Sequence, residues 1–118
     1  MSITKKVVND REYMFVNHSR GNRSGFVHET ELYHKDLLIG KYKIQYYNRT
    51  WKCYQFQSVM RGVVNMALND ELEFFKSMYK RIHNIKRLTA KKEAEMMQEF
   101  LANKPALYAD LEELYMML

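Results

Sequence analysis

The spacing of apolar residues changes once along this chain of 118 residues, and that change constrains the fold more than any other feature. Before Phe56, apolar side chains recur at every second position, as in half-buried β-strands. After Phe56 they recur every three or four positions, as on one face of an α-helix. We therefore predict an α+β fold within one domain, 1–118, in which residues 1–57 form a sheet and residues 58–118 form helices.

The first half predicts an antiparallel meander of three to four strands. The short apolar run at residues 13–16 is typical of a strand, and the Gly, Asn and Ser content of residues 17–25 indicates a loop after it. Residues 25–33 and 41–47 alternate between apolar and polar, which predicts two half-buried strands.

Two short connections would complete the meander. A turn at Asn48 and Arg49 would return residues 50–56 antiparallel as a further strand. A three-residue connection at 34–36 would set Glu29 across from Lys41 on the outer face. The same register directs the following side chains inward: Phe26, His28, Thr30 and Leu32, beside Ile44, Tyr42, Gly40 and Leu38.

The second half predicts three to four helices. Ser58 can cap the first, and Asn69 is expected to end or bend it. Asp70 and Glu73 form a capping-box pattern that would open a second segment reaching to about Arg87. The inward face of the first helix is predicted to carry these residues: Val59, Met60, Val63, Val64, Ala67 and Leu68.

Two further helices are expected towards the end of the chain. Thr89 can cap a helix over residues 90–102, and Pro105 is well placed as the first residue of the last helix. The third helix is predicted to direct Ala94, Met97, Phe100 and Leu101 inward, and the fourth Leu107, Leu111, Leu114 and Leu118.

The charge is distributed unevenly along the chain. Residues 1–92 carry 18 Lys and Arg against 8 Asp and Glu, a balance of +10, whereas residues 93–118 carry one Lys against 6 acids, a balance of −5. The basic part favours an anionic partner, and the acidic end is suited to a basic one.

The basic residues that follow the middle of the chain are the first candidate site. Four side chains at helical spacing would form a line of about 16 Å on one helix face, namely Lys76, Lys80, His83 and Arg87. Lys86, Lys91 and Lys92 extend it, and no acid lies between Lys76 and Lys92. Such a line could follow several phosphates of a nucleic acid, although a solvated helix face explains the same pattern.

Two other basic surfaces were weighed as nucleic-acid contacts. On the outer sheet face the following residues would interleave: Lys41, Lys43 and Lys52 with Tyr47 and Tyr54. Glu29 and Glu31 on the neighbouring strand oppose this reading and favour ordinary cross-strand ion pairs. Arg20 and Arg23 in the expected loop could reach an anionic groove, but an exposed hairpin loop explains them equally well.

The last helix is the candidate protein interface. It carries more apolar surface than one core-facing side requires, together with acids that could imitate phosphates towards a basic partner. The residues assigned to this interface are Tyr108, Asp110, Glu112, Glu113, Tyr115 and Met116. A core role for most of these side chains is the alternative, and an exposed remainder would favour a homodimer through this helix.

Sequence signatures of catalysis, metal binding and cofactors are missing. There is no glycine-rich phosphate loop and no zinc-binding spacing, so we expect no enzyme activity, no metal and no cofactor. Cys53 with His28 could form a nucleophile and base, but a cysteine between aromatic residues in a strand is typical of an inert core position. One cysteine and the absence of an apolar leader at the start lead us to expect a cytoplasmic protein, with no membrane partner.

One segment resembles a known pattern. Residues 46–63, with the sequence YYNRTWKCYQFQSVMRGV, resemble small, largely uncharacterised phage and prophage proteins of Gram-positive bacteria. In that pattern a strand, a tight Asn-Arg turn, a Trp-x-x-Tyr strand and a Gln-Ser-Val helix start follow one another. The likeness covers roughly residues 26–64, and Cys53 departs from it at a position where an acidic or small residue is expected.

The resemblance implies a binding protein that acts stoichiometrically on a host machine in an infected or lysogenic bacterium, as anti-CRISPR inhibitors do. The expected function is therefore evasion of host defence by occupying a nucleic-acid or guide-binding surface of a host complex, with a CRISPR effector nuclease as the single best candidate. A small basic protein that binds DNA or RNA directly is the alternative.

Overall fold

A four-stranded antiparallel sheet followed by three helices forms the protein, in a computed structural model that describes residues 1–22, 25–46 and 55–118. The strands are β1 (Ser2–Val8), β2 (Arg11–Asn22), β3 (Gly25–His34) and β4 (Leu37–Tyr46), in the sheet order β1-β2-β3-β4. The helices are α1 (Gln55–Ile82), α2 (Ala90–Ala102) and α3 (Ala106–Met117). The predicted α+β meander is confirmed.

Two-residue turns join β1 to β2 and β3 to β4. Asn9 and Asp10 have φ values of 50° and 64°, and Lys35 and Asp36 repeat the same pair of values. Two consecutive left-handed residues are the geometry that matches the twist of a hairpin. The expected three-residue connection at 34–36 is therefore wrong, because His34 still pairs with Leu37 in the sheet.

Three strand predictions are corrected. β1 was not predicted, and β2 continues through most of the expected loop at 17–25, where Asn17 pairs with Thr30. Between β3 and β4 the register is displaced by two residues, so Glu29 lies across from Lys43 rather than Lys41. The displacement by two residues leaves most side chains on their predicted faces because the pleat repeats every two residues. Leu38 is the exception: the register shifts between Leu32 and Tyr33, so Leu38 pairs with Tyr33 and is 48% exposed, and its predicted inward position is wrong.

The core lies between one sheet face and the helices. Tyr13 and Phe15 from β2 and Leu32 from β3 are buried against Val63 of α1 and Leu111 of α3. Asn17 is also buried there and accepts a hydrogen bond from Thr30 Oγ1 at 2.7 Å, so this polar pair is satisfied within the core.

α1 crosses β4 closely because small residues stand at the contact. A Cβ added to Gly62 would lie 2.4 Å from Cε2 of Tyr42, and one added to Gly40 would lie 3.2 Å from Cγ2 of Val63. Glycine at both positions lets the helix backbone and the strand backbone approach.

α1 is one helix of 28 residues, about 42 Å long, rather than two helices separated at Asn69. α1 begins at Gln55, so Gln55 and Phe56 are helical and do not belong to the strand predicted over residues 50–56. The rest of that predicted strand, residues 50–54, and the predicted turn at Asn48 and Arg49 lie outside the described residues. Ser58 lies inside the helix rather than at its start, as do Asp70 and Glu73.

The last two helices follow their predictions more closely. Thr89 caps α2, whose bounds are the predicted ones, and Pro105 precedes the first residue of α3 as its N-cap. The predicted inward face of α2 is partly wrong, because Met96 and Phe100 are buried whereas Ala94 is exposed and Leu101 is 54% exposed. The predicted leucine face of α3 is confirmed at Leu107, Leu111, Leu114 and Leu118.

Candidate nucleic-acid interface

A sharp reversal of the chain follows α1, within a stretch, residues 76–92, that carries seven of the 19 Lys and Arg. Asn84 has a φ of 52°, the N–H of Ile85 donates to the carbonyl of Lys80 at 2.8 Å, and the N–H of Asn84 donates to the carbonyl of Arg81 at 3.3 Å. These two bonds define a Schellman motif, which ends the helix and satisfies its last carbonyls. The prediction that this helix continues to Arg87 is therefore wrong.

α2 begins only a few residues later. The side chain of Thr89 accepts a hydrogen bond from the backbone N–H of Lys92 at 3.3 Å, and its carbonyl accepts from the N–H of Glu93 at 2.9 Å. A threonine cap satisfies one of the free N–H groups at the helix start. The loop between the two helices is thus held at both ends by specific hydrogen bonds.

Aromatic side chains fix α2 and α3 against the second half of α1. The rings of Phe75 and Phe100 lie 4.9 Å apart, and those of Phe100 and Tyr108 lie 4.8 Å apart with their edges towards the faces. Tyr79 is 7% exposed, and its ring centre lies 4.3 Å from that of His83 with the two planes tilted by 43°. This apolar interior gives the cations around it a defined arrangement.

We name the end of the molecule formed by residues 76–92 the basic tip. It contains seven Lys and Arg and no acid, and its cationic side chains are Lys76, Lys80, Arg81, Lys86, Arg87, Lys91 and Lys92. Lys76 and Lys80 are half-buried and the other five are exposed. Within the described part of the chain, the single ion pair that these seven make is the exposed contact of Lys92 with Glu95, at 3.5 Å.

The tip cations do not form the straight line expected from the sequence. Lys76 and Lys80 lie on α1, but His83 and Arg87 follow its last residue and stand in the connecting loop. Lys91 and Lys92 come from the first turn of α2. These cations are therefore distributed over the last turns of α1, the connecting loop and the first turn of α2 instead of marking one helix face.

Lys91 and Lys92 stand where a helix disfavours cations. The free N–H groups at a helix N-terminus are equivalent to a partial positive charge, so lysines in the first turn are destabilising and anions are stabilising. Glu93 in the same turn offsets this in part. Lys80 and Arg81, in the last turn of α1, stand where the helix favours cations.

The outer sheet face carries both charges rather than a basic surface. Lys43 is exposed across from Glu29, and Lys41 makes an ion pair with Glu29 at 3.4 Å. Arg20 is exposed on the same sheet in β2, not in a loop. These contacts match the cross-strand pairing that was weighed as the ordinary explanation of this face.

A hydrogen-bonded group on this face was missed by sequence reasoning. His18 Nε2 lies 2.8 Å from Oε1 of Glu31, and the hydroxyl of Tyr33 donates to Oε2 of Glu31 at 2.8 Å. The bonds from Tyr33 and His18 lower the pKa of Glu31, and the bond to Glu31 raises the pKa of Tyr33. The group borders a shallow concavity of about 460 Å³ lined in part by Arg20 and Val27. No sequence signal placed His18 next to Glu31, because residues 17–25 were expected to form a loop and their pairing with β3 was therefore not predicted.

The acidic end of the chain does not form the predicted interface as a whole. Asp110 is 0% exposed, so its place in an acidic rim is wrong. Glu112 is half-buried and accepts a hydrogen bond from Lys104 Nζ at 2.7 Å, and Lys104 also lies 5.9 Å from the ring centre of the half-buried Tyr108. The remaining three of the predicted interface residues, Glu113, Tyr115 and Met116, are exposed.

Asp110 instead joins α3 to the first hairpin. Its Oδ1 accepts from Asn9 Nδ2 and from Arg11 Nη2, each at 2.8 Å. Its Oδ2 accepts from Arg11 Nε and from the hydroxyl of Tyr13, each at 2.5 Å. The hydrogen bonds from Arg11 lower the pKa of Asp110 from 3.8 to about 2, although burial of the carboxyl alone would raise it. Burial and the hydrogen bond to Asp110 both raise the pKa of Tyr13. This cluster was also missed, because its members lie about a hundred residues apart in the chain.

Several predicted residues lie outside the described part of the chain, namely Arg23, Tyr47, Lys52, Cys53 and Tyr54. His28 is 9% exposed and packs edge-on against Phe26 and Phe56, and burial lowers its pKa. Over residues 1–22, 25–46 and 55–118, no group of three or more His, Cys, Asp or Glu is placed to hold a metal ion. None of the described helices is both long enough and apolar enough to span a membrane.

Comparison of the chain with protein-family models, with curated proteins and with solved structures finds no match in any of the three. The basic tip is therefore described by its own geometry alone.

Proposed function

We propose that this protein is a non-enzymatic, phage-type binding protein that inhibits a host nucleic-acid-processing complex, with a CRISPR effector nuclease as the best single candidate. In this proposal the basic tip docks on RNA or DNA held by that complex and so occupies its nucleic-acid or guide-binding surface. One observation carries the proposal: residues 76–92 contain seven Lys and Arg with no acid among them, and with the described residues these seven make one ion pair, the exposed contact to Glu95.

Charges that form no ion pair with any described residue are available to phosphates. Each Lys or Arg that contacts a phosphate releases condensed counterions, and this release supplies the sequence-independent part of nucleic-acid affinity. Binding several phosphates would also offset the unfavourable position of Lys91 and Lys92 at the start of α2. Of the two routes considered from the sequence, the basic tip is favoured over the acidic helix because Asp110 is buried and Glu112 is paired.

Titration of labelled single- and double-stranded RNA and DNA tests the role of the tip. We expect the double variant Lys80→Glu/Arg87→Glu to weaken binding to every one of these ligands. The matched control is Lys5→Glu/Lys35→Glu, which makes the same change in net charge at exposed residues outside the tip. Equal weakening by both variants would show that only the net charge matters, and no binding of any ligand by the wild type would refute direct contact with nucleic acid.

A small nucleic-acid-binding accessory protein is the second candidate, and it uses the same tip. The two candidates differ in what the protein captures from bacterial lysate. Recovery of a nuclease or another nucleic-acid-handling protein by the wild type, and its loss with Lys80→Glu/Arg87→Glu, supports the inhibitor. Recovery of nucleic acid with no such protein, abolished by nuclease treatment, supports the accessory protein instead.

A further inference from the structure

An apolar stripe on the second half of α1 is exposed to solvent. Phe74 is 67% exposed, Met78 is 37% exposed and Ile82 is 72% exposed. At 100° per residue these three side chains fall within about 80° of the helix circumference. Aromatic and aliphatic side chains exposed together in one line are unusual on the surface of a monomer and mark contact surfaces.

The stripe continues the face of α1 that the sheet buries in the first half of the helix. Val63 and Ala67 lie within about 20° of the direction of Phe74 on the helix circumference. Both are buried in the core, and Val63 lies against Gly40 of β4. One helix face therefore passes from a covered half to an uncovered half, and α2 does not cover the second half because it packs on Phe75, to one side of the stripe.

The charges around the stripe are opposite at its two ends, and its acidic end includes the half-buried Glu71, which falls within the arc of the stripe. Asp70 lies before Phe74 and Arg81 lies next to Ile82, and both stand on the same side of the stripe, within about 20° of each other. They are separated by about 16 Å along the helix, which is too far for a contact in one chain. Among the described residues neither forms an ion pair, and both are exposed.

We propose that the stripe is the interface of a twofold-symmetric dimer in which α1 packs antiparallel on α1 of a second copy. The twofold axis is perpendicular to the two helices and crosses them near residue 76. Phe74 of one copy and Met78 of the other then stand at the same position along the helix axes. The same axis brings Asp70 to within about 1.5 Å of the height of Arg81 of the second copy, on the same side of the stripe. Each apolar contact and each ion pair then forms twice, which is the self-complementarity that a twofold interface requires.

The oligomeric state of the nucleic-acid-free protein tests this dimer. Sedimentation equilibrium over a range of concentrations is expected to give a mass that rises from 14.3 kDa towards twice that value. The variant Phe74→Ser/Met78→Ser is expected to raise the dissociation constant of the dimer by about tenfold or more. Its control is Leu101→Ser/Met116→Ser, which removes two apolar side chains that are also exposed on helices, and circular dichroism checks that every variant folds.

Charge exchange tests the antiparallel arrangement itself. Asp70→Arg and Arg81→Asp are each expected to weaken the dimer, because like charges then meet across the interface, and Asp70→Arg/Arg81→Asp is expected to restore it. The proposal is overturned by a wild type that stays monomeric at all concentrations, or by a dimer that the stripe variant weakens no more than the control. A dimer that the double exchange does not restore also overturns it. Weakening by the control alone would place the interface on α2 or α3.

Discussion

Replacement of Asp110 by asparagine tests the contact that joins α3 to the first hairpin. The carboxylate of Asp110 is 0% exposed and accepts four hydrogen bonds, from Asn9, from Tyr13 and twice from Arg11. The amide of asparagine has the same shape but only one acceptor oxygen. Its nitrogen carries N–H donors, which would face the donor groups that now bond to the second carboxylate oxygen. Asp110→Asn therefore removes the ion pair and leaves the hydroxyl of Tyr13 or a nitrogen of Arg11 without its acceptor.

The magnitude follows from the lowered pKa. The pKa of Asp110 falls from 3.8 to about 2, so the ionised carboxylate favours the folded state. This stability is fully present above pH 3.8 and is lost as the pH falls through 2. A difference of this size corresponds to about 2 kcal/mol at pH 7, to about half of that at pH 3 and to a small remainder at pH 2.

Urea denaturation of the wild type and of Asp110→Asn at pH 7, pH 3 and pH 2 measures this difference directly. At low pH the protonated carboxyl, like the amide, is uncharged and no longer accepts at both of its polar atoms, so the two proteins are expected to converge in their free energy of unfolding. A loss below about 1 kcal/mol at pH 7, or a difference that stays constant between pH 7 and pH 2, would refute the assigned role of Asp110.

Three further substitutions test the fold around the site. Asn84→Ala is expected to cost about 1 kcal/mol of unfolding free energy, because Asn84 has a φ of 52° and alanine lacks the short polar side chain that lets asparagine tolerate this left-handed conformation. Asn84→Gly should be tolerated, and equal losses in both variants would contradict the Schellman motif. Gly62→Ala is expected to lower the free energy of unfolding by about 1–3 kcal/mol, because its Cβ would lie 2.4 Å from the ring of Tyr42. In the background of Tyr42→Ala the same substitution should carry no such penalty, and thermal denaturation of the single and double variants checks this. Phe100→Ala is expected to cost about 3–5 kcal/mol because its ring is 1% exposed between Phe75 and Tyr108, and a loss below about 1 kcal/mol in urea denaturation would contradict that packing.

The sequence predicted the fold class, parts of the three strands β2, β3 and β4, and the N-cap of α2, because these depend on short-range patterns. β1 was missed because its apolar and polar residues do not alternate as they do in a strand that turns its apolar face to the core. Ile3 and Val7 point to solvent, and Thr4 and Lys6 lie on the core side of the strand. The polar residue Asn17 indicated a loop, yet its hydrogen bond to Thr30 lets it stay in a buried strand.

The extent of α1 could not be predicted from local patterns, because tertiary contacts decide where this helix continues. The pattern at Asn69 and Asp70 favours a helix boundary, but the packing of α1 on the sheet and on α2 and α3 carries the helix through it. The helix ends at Ile82 because Asn84, two residues later, has a left-handed conformation, which the spacing of apolar side chains does not reveal. The burial of Asp110 could not be predicted at all, since its partner Arg11 is 99 residues away.

The salt dependence of nucleic-acid affinity tests the role of the basic tip most directly. Affinity of the wild type for one labelled oligonucleotide is measured at several salt concentrations, beside Lys80→Glu/Arg87→Glu and the control Lys5→Glu/Lys35→Glu. Loss of two phosphate contacts is expected to reduce the slope of log affinity against log salt by about 1.4–1.8 in the tip variant. The control is expected to keep the wild-type slope. A tip variant with the wild-type slope and affinity would contradict the proposed phosphate contacts.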